Sequence, residues 1–315
     1  MSFNPLKVAV VGAGNVGASF AYALLLSGLA AEIVLVDANH AKAEGEAMDL
    51  SHSAPFAFDT VVRAGTYADI SGAAVTVITA GANQKPGEPR LDLARKNAGI
   101  FRQIIPAVVG ANPDGLIVVA TNPVDVMTQL SAQLAGLAPG RVLGSGTLLD
   151  TARFRHFIAA HLGVAARSVS AWIIGEHGDS EVPVWSNVAI GGMPLADFCA
   201  ARGLALADED KDRIYRATRD AAYHIIERKG ATFYAIGAGL VEVVAAIARD
   251  ENAILPVGCA IENYHGIGGV FFGMPRLVGR NGAGAIVPLA LDEGELAMLR
   301  QSAATMGESW KVVAD

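Results

Sequence analysis

The chain has 315 residues, 52% hydrophobic and 17% charged, with 24 Lys and Arg against 31 Asp and Glu for a formal net charge of −7. That balance excludes a largely disordered chain and supplies core enough to need no disulfide or metal staple. The negative charge argues against general binding to a nucleic-acid backbone, and Cys199 and Cys259 offer neither a disulfide framework nor a zinc-ribbon spacing, so a reducing, cytoplasmic compartment and no metal are expected.

Residues Val8 to Ala31 carry no charge over 24 positions, which raises the question of a membrane span. Glycines at 12, 14 and 17 and Asn15 interrupt the stretch, and a β-branched run, Ile33 to Val36, follows it. The expectation is therefore strand, glycine turn, buried helix, strand, with no signal peptide or span. In chain order, Lys7 to Val11 predicts a strand, Val16 to Leu29 a buried helix, and Ile33 to Val36 a second strand. Ala41 to Leu50 predicts a helix with Glu44, Glu46 and Asp49 on its wet side. Val75 to Thr79 is a third strand, Arg90 to Val109 a long helix, and Leu116 to Ala120 a fourth strand. Val124 to Leu134 is helical, and Arg141 to Leu143 is a short fifth strand.

Apolar strands alternating with helices predict an α/β fold, a Rossmann-type doubly wound parallel sheet covered on both faces. Ligands of such sheets sit past the C-terminal strand ends, where the polar, glycine-rich segments 81–90, 121–125 and 144–150 fall. Beyond about residue 146 the texture changes. Ser168 to Ile174 is strand-like, Ala207 to Arg228 and Thr232 to Arg249 are helical, and Ala253 to Leu291 suggests antiparallel hairpins before a closing helix, Asp292 to Trp310. We place a first domain at residues 1–145 and a second, α+β domain at 146–315.

The string GAGNVG at 12–17 follows a strand and opens a helix. Gly12 permits the tight turn, Gly14 lets a pyrophosphate approach the backbone, and Gly17 lets the helix pack on the sheet. Asp37 ends the next strand, 20 positions after Gly17, where a carboxylate accepts hydrogen bonds from a ribose diol. It repels a 2′-phosphate, and Ala38, Asn39 and His40 offer no arginine to hold one, so NAD is favoured over NADP.

Asp150 and Arg153 share a helical face, which fits either a common ion pair or part of a site. His177, flanked by Gly175 and Gly178, has room for a ligand beside its ring and is the side chain best poised to trade a proton near neutral pH, although a surface-loop histidine fits the composition equally well. The segment from Gln84 to Arg90 is polar and proline-kinked, consistent with a lid or with a plain solvated loop. No HExxH or other metal-ligand spacing accompanies these residues.

Four strings in order, GANQKPGEPR at 81–90, ATNPVD at 120–125, GSGTLLDTARFR at 144–155 and IGEHGD at 174–179, make the chain resemble the L-lactate dehydrogenase and malate dehydrogenase family, from Val8 to about Leu291. The resemblance implies that His177 is the proton donor to pyruvate and the base for lactate, and that Asp150 orients His177 and stabilises its charged form. It implies that Arg153 holds the substrate carboxylate and that Arg90, on a closing loop, polarises the carbonyl. Asn122 would bind near carbonyl and nicotinamide, Thr232 would line the small-group end, and Gln84 would face the variable group of the substrate. Asn15, Val16, Lys42, Tyr67, Gly81 and Ala82 join Gly12, Gly14, Gly17, Asp37 and Asn122 on the cofactor side.

Malate enzymes of this family carry an arginine where this chain has Gln84, which favours pyruvate over oxaloacetate. A longer-chain 2-hydroxy acid dehydrogenase and a catalytically silent NAD-binding regulator are the remaining alternatives. The resemblance also implies a homo-oligomer, dimer or tetramer. In members activated by fructose 1,6-bisphosphate, Arg155 matches an arginine of the effector site, but Ser170 stands where its histidine would be.

Overall fold

The computed structural model describes residues 6–82 and 90–314, the side chains of positions 90 and 91 excepted. The first half lays down β1 (Leu6–Val11), α1 (Asn15–Ser27), β2 (Ala30–Val36), α2 (His40–His52), β3 (Val61–Ala64), β4 (Val75–Ile78), α3 (Arg90–Ala111), β5 (Leu116–Val119), α4 (Val124–Ala135) and β6 (Val142–Gly144). The strands pair in parallel in the order β3-β2-β1-β4-β5-β6, the doubly wound order that places a dinucleotide crevice at the β1/β4 reversal. The uncharged N-terminal stretch is β1, α1 and the start of β2, and no described helix is long and apolar enough to cross a membrane.

Strand β3 is absent from the sequence expectation, so the strand at Val75 is the fourth rather than the third. It has only four residues, lies at the sheet edge, exposes Val61 and carries Arg63, which pairs with Glu32 at 2.8 Å and Asp69 at 2.9 Å. Short, charged edge strands resist further pairing and give a weak hydrophobic signal.

The second half contains α5 (Leu148–Leu162), the short strands β7 (Val169–Ser170), β8 (Ile173–Ile174), β9 (Val182–Pro183), β10 (Ala189–Ile190) and β11 (Met193–Pro194), then α6 (Leu195–Arg202), α7 (Asp208–Lys229) and α8 (Tyr234–Ala248). The expected strand from Ser168 to Ile174 is thus two short strands in different small sheets. The hairpin expectation holds for β12 (Ala253–Ile261), β13 (Val270–Gly279) and β14 (Gly282–Ile286), which precede α9 (Glu293–Lys311).

These last strands extend the nucleotide sheet, because β12 pairs antiparallel with β6 through Gly258 and Gly144, giving nine strands in one sheet among the described residues. One face is covered by α1, α2 and α8, with Phe20, Leu24, Leu25, Val243 and Val244 buried between. The other is covered by α3, α4 and α9 around Phe101, Met127, Phe272 and Leu299. A separate cluster beneath α5 and α6 holds Phe154, Ile158 and Cys199. Gly237 of α8 lies so close to α1 that a Cβ there would stand 3.1 Å from the Phe20 backbone nitrogen. Sheet extension and helix contact bring the second half of the chain to the C-terminal ends of β1, β4, β5 and β6.

Candidate active site

The glycine turn between β1 and α1 is fixed by close backbone approach. Gly12 has φ +108°, and a Cβ there would meet the Ala80 nitrogen at 2.4 Å. A Cβ on Gly17 would stand 1.9 Å from the Gly12 carbonyl oxygen, whereas one on Gly14 would meet nothing within 4 Å. Gly14 caps the N-terminus of α1, so open backbone and the positive end of a helix coincide there. Asp37 accepts the Ala13 N–H at 2.7 Å and the Asn39 N–H at 2.8 Å, which ties the end of β2 to the turn. Tyr67 is half-buried, and its phenol is pushed up by burial and then by the charge of Asp37, so it stays neutral. Lys42 is exposed on the first turn of α2, where its N–H is capped by Asn39.

At the ends of β4 and β5 the Ala82 N–H donates to Asn97 Oδ1 at 2.8 Å, and Asn97 Nδ2 donates to the Asn122 carbonyl at 2.7 Å. This link braces Gly81, Ala82 and Asn122 side by side. An open glycine backbone at a helix N-terminus and a carboxylate closing the second strand fit the pyrophosphate and ribose of NAD.

A cleft beside this cradle is lined by Val16, Asn122, Ser145, Leu149, His177 and Thr232. His177 Nδ1 lies 2.5 Å from Asp150 Oδ2, and Arg153 Nη1 donates to Asp150 Oδ1 at 2.9 Å. Asp150 and Arg153 do form the intrahelical pair on α5, and the same carboxylate reaches His177 across 27 positions of sequence. The Asp150 side chain is 3% exposed, Arg153 12% and His177 23%, so the pair is buried and the ring reaches the cleft.

Burial by itself depresses the His177 pKa, but the charge and hydrogen bond of Asp150, with the charge of Asp125, outweigh it and the net shift is upward. For Asp150 burial raises the pKa, while His177 and Arg153 pull it down further, so the carboxylate stays ionised. With Nδ1 held by Asp150, Nε2 is the ring nitrogen available for proton exchange.

Two acids near the site carry no expected role. Asp125, on the first turn of α4, accepts the His177 backbone N–H at 2.7 Å and is pushed up to about 7, chiefly by burial. Its signal in the sequence is an acid opening an otherwise uncharged helix. Glu181 is buried, and burial together with the charge of Asp150 pushes it up to about 9, against Arg153 and Arg219, so it is protonated at neutral pH. On the opposite side of the His177 turn, Ser302 of α9 accepts the Glu176 N–H at 2.8 Å. Arg90 begins α3, and its side chain is outside the described residues, as is the whole of Gln84.

Residues 6–144 match the family described as lactate/malate dehydrogenase, NAD binding domain, and residues 147–315 match lactate/malate dehydrogenase, alpha/beta C-terminal domain. The chain belongs to the lactate/malate dehydrogenase family. It is 50% identical over 301 residues to a probable L-lactate dehydrogenase of Schizosaccharomyces pombe, covering 96% of this chain and 91% of the relative. It is 48% identical over 298 residues to an L-lactate dehydrogenase of Thermus aquaticus, covering 95% and 96%. Among solved structures, the minor L-lactate dehydrogenase of Enterococcus mundtii superposes with a TM-score of 0.94 at 43% identity, over 98% of each chain.

Proposed function

We propose that this member of the family is an NAD-dependent L-lactate dehydrogenase that interconverts pyruvate and (S)-lactate. The observation that carries the reading is Asp150 shared between His177 at 2.5 Å and Arg153 at 2.9 Å, at the mouth of the nucleotide cradle. When bound, NADH supplies the hydride. His177 gives its Nε2 proton to the keto oxygen as that oxygen gains charge, and takes it back from lactate in reverse. Asp150 holds Nδ1 and favours the charged ring before transfer. Arg153 has guanidinium donors beyond Nη1 for the substrate carboxylate, a planar match that lysine lacks.

Asn122 and Thr232 line the cleft where the carbonyl and methyl ends would sit. Arg90 and Gln84 complete the site by family resemblance, the first polarising the carbonyl and the second facing the methyl group. Gly12, Gly14, Asn15, Val16, Gly17, Asp37, Lys42, Tyr67, Gly81, Ala82 and Asn122 would hold NAD. Residues 1–145 would form the NAD-binding domain, which also lends Gln84, Arg90 and Asn122 to the substrate, and 146–315 the α+β domain that carries Asp150, Arg153, His177 and Thr232. The same reading includes a homo-oligomer, dimer or tetramer, and a cytoplasmic location, which suits two buried free cysteines.

The test is NADH oxidation with pyruvate, oxaloacetate and 2-ketoisocaproate. The highest kcat/KM is expected with pyruvate. A preference for oxaloacetate would make the chain a malate dehydrogenase, and no oxidation with any of the three would remove the enzymatic reading.

A further inference from the structure

Asp125 is 2% exposed, and its two oxygens differ in their surroundings. Oδ2 takes the His177 backbone N–H at 2.7 Å, whereas Oδ1 has no hydrogen-bond partner among the described residues. A buried carboxylate with an unpartnered oxygen costs stability. The residue also sits at a junction. It lies three positions after Asn122, which lines the cleft and whose carbonyl is held by Asn97, and it reaches the turn that carries His177, 52 positions away. From the other side Gly258 of β12 backs the carboxylate closely enough that a Cβ would stand 3.2 Å from Oδ1.

We propose that Asp125 is a positioning residue for His177: its carboxyl group registers the acid–base turn against the segment bearing Asn122 and sets a second acid beside the ring. The proposal rests on the L-lactate dehydrogenase reading for its kinetic arm alone. The charged groups facing Asp125 are His177, Glu176 and Asp150, and those facing the ring are Asp150, Asp125 and Arg153. Asp125 therefore acts on the ring through the main chain, and through the field as well once it ionises, which burial delays to about pH 7.

The experiment compares Asp125→Ala, Asp125→Asn and the full-length parent in kcat, KM for pyruvate, NADH affinity by fluorescence, and the titration of the His177 ring in histidine-labelled protein, assigned with His177→Asn. Loss of the clamp in Asp125→Ala is expected to lower kcat about 10²-fold, the scale of an ångström-level misplacement, with NADH affinity kept within about threefold. Asp125→Asn keeps an acceptor for the His177 N–H and should recover about tenfold of that loss, short of full rescue because its Nδ2 meets the corner where Oδ1 had no partner. In both variants the ring should titrate at lower pH than in the parent.

A kcat for Asp125→Ala within about twofold of the parent, an Asn variant no better than Ala, or an unmoved ring titration would overturn the proposal. If Asp125→Ala fails to fold, Gly258→Ala pushes on Oδ1 from the opposite side, and its unchanged kcat and ring titration would equally overturn it. A parent chain inactive on all three keto acids refutes the lactate dehydrogenase reading, while the ring titration still decides the role of Asp125.

Discussion

Replacing Asp150 with asparagine removes one charge from the centre of the site while nearly preserving its shape. The carboxylate is 3% exposed and serves two cations, His177 at 2.5 Å and Arg153 at 2.9 Å. Truncating one partner of a buried, hydrogen-bonded charge pair costs about 2–5 kcal/mol, and about 1.4 kcal/mol is tenfold in rate, so kcat/KM for pyruvate should fall roughly 30- to 5000-fold. The asparagine oxygen still accepts from Nδ1, which places the expected loss below that of removing the side chain altogether. The pH dependence carries the sharper signature. Asp150 supplies the largest contributions that raise the His177 pKa against burial, so its loss lowers that pKa.

Pyruvate reduction needs the protonated ring. In the parent it persists below the raised pKa and declines as pH climbs through it, and in the variant the decline begins at lower pH. Lactate oxidation, which needs the neutral ring, should lose less at alkaline pH. The assay is the pH profile of kcat/KM in both directions, with NADH affinity measured separately to show an intact cradle. A variant with an unmoved alkaline limb and kcat/KM within about threefold of the parent would refute the role given to Asp150.

The remaining predictions address the base, the cradle, specificity and regulation. His177→Asn should lose about 10²–10⁴-fold in kcat while NADH binding survives, and near-normal turnover would dismiss the histidine as the acid–base group. Gly14→Ala should fold normally but bind NADH weakly, whereas Gly17→Ala should lower the melting temperature as well, because its Cβ would stand 1.9 Å from the Gly12 carbonyl oxygen; equal melting temperatures would contradict that packing. Gln84→Arg should shift the kcat/KM ratio toward oxaloacetate by about 10²-fold or more, since a cation meets the second carboxylate and an unpaired charge meets the methyl of pyruvate; an unchanged ratio would show that position 84 does not face substrate. Fructose 1,6-bisphosphate should activate little, because Arg155 donates to the Ala171 carbonyl at 3.0 Å and stacks 4.8 Å from the Trp172 ring while Ser170 adds no charge. A severalfold fall in half-saturating pyruvate on adding the bisphosphate would contradict this.

The first half of the fold was legible because each central strand is buried on both faces and reads as an unbroken apolar run, as Val8 to Val11 and Leu116 to Val119 do. The edge strand β3 was not, because four residues with an arginine among them carry no such run. The strand-like string from Ser168 to Ile174 was read as one element because Ala171 and Trp172, apolar like strand residues, conceal the break where the chain moves from one small sheet to another. At the site, local spacing supplied the Asp150–Arg153 pair, since three positions on a helix make neighbours. That the same carboxylate also meets His177 is a fact about β6, α5 and the turn after β8 arriving at one sheet end, and no local pattern encodes it. The family resemblance supplied what spacing could not.

Asp125 shows where both kinds of reading stop. It stood within a recognised string, yet its use depends on a main-chain N–H, and every non-proline residue has one. The His177 turn is pinned by backbone on several sides: Gly175 exchanges hydrogen bonds of 2.9 and 3.0 Å with Gly273 of β13, and the N–H groups of Glu176 and His177 go to Ser302 and Asp125. The ring is therefore aimed by the chain that carries it as much as by Asp150. In the acid–base role proposed for His177, a ring held this way would exchange its proton without moving its carrier, so transfer would need little reorganisation of the protein. The sheet extension through β12 and β13 would thus contribute to that chemistry: it places Gly273 against the turn and Gly258 against Asp125, and the spacing between the His177 ring and the nucleotide cradle follows from strand pairing.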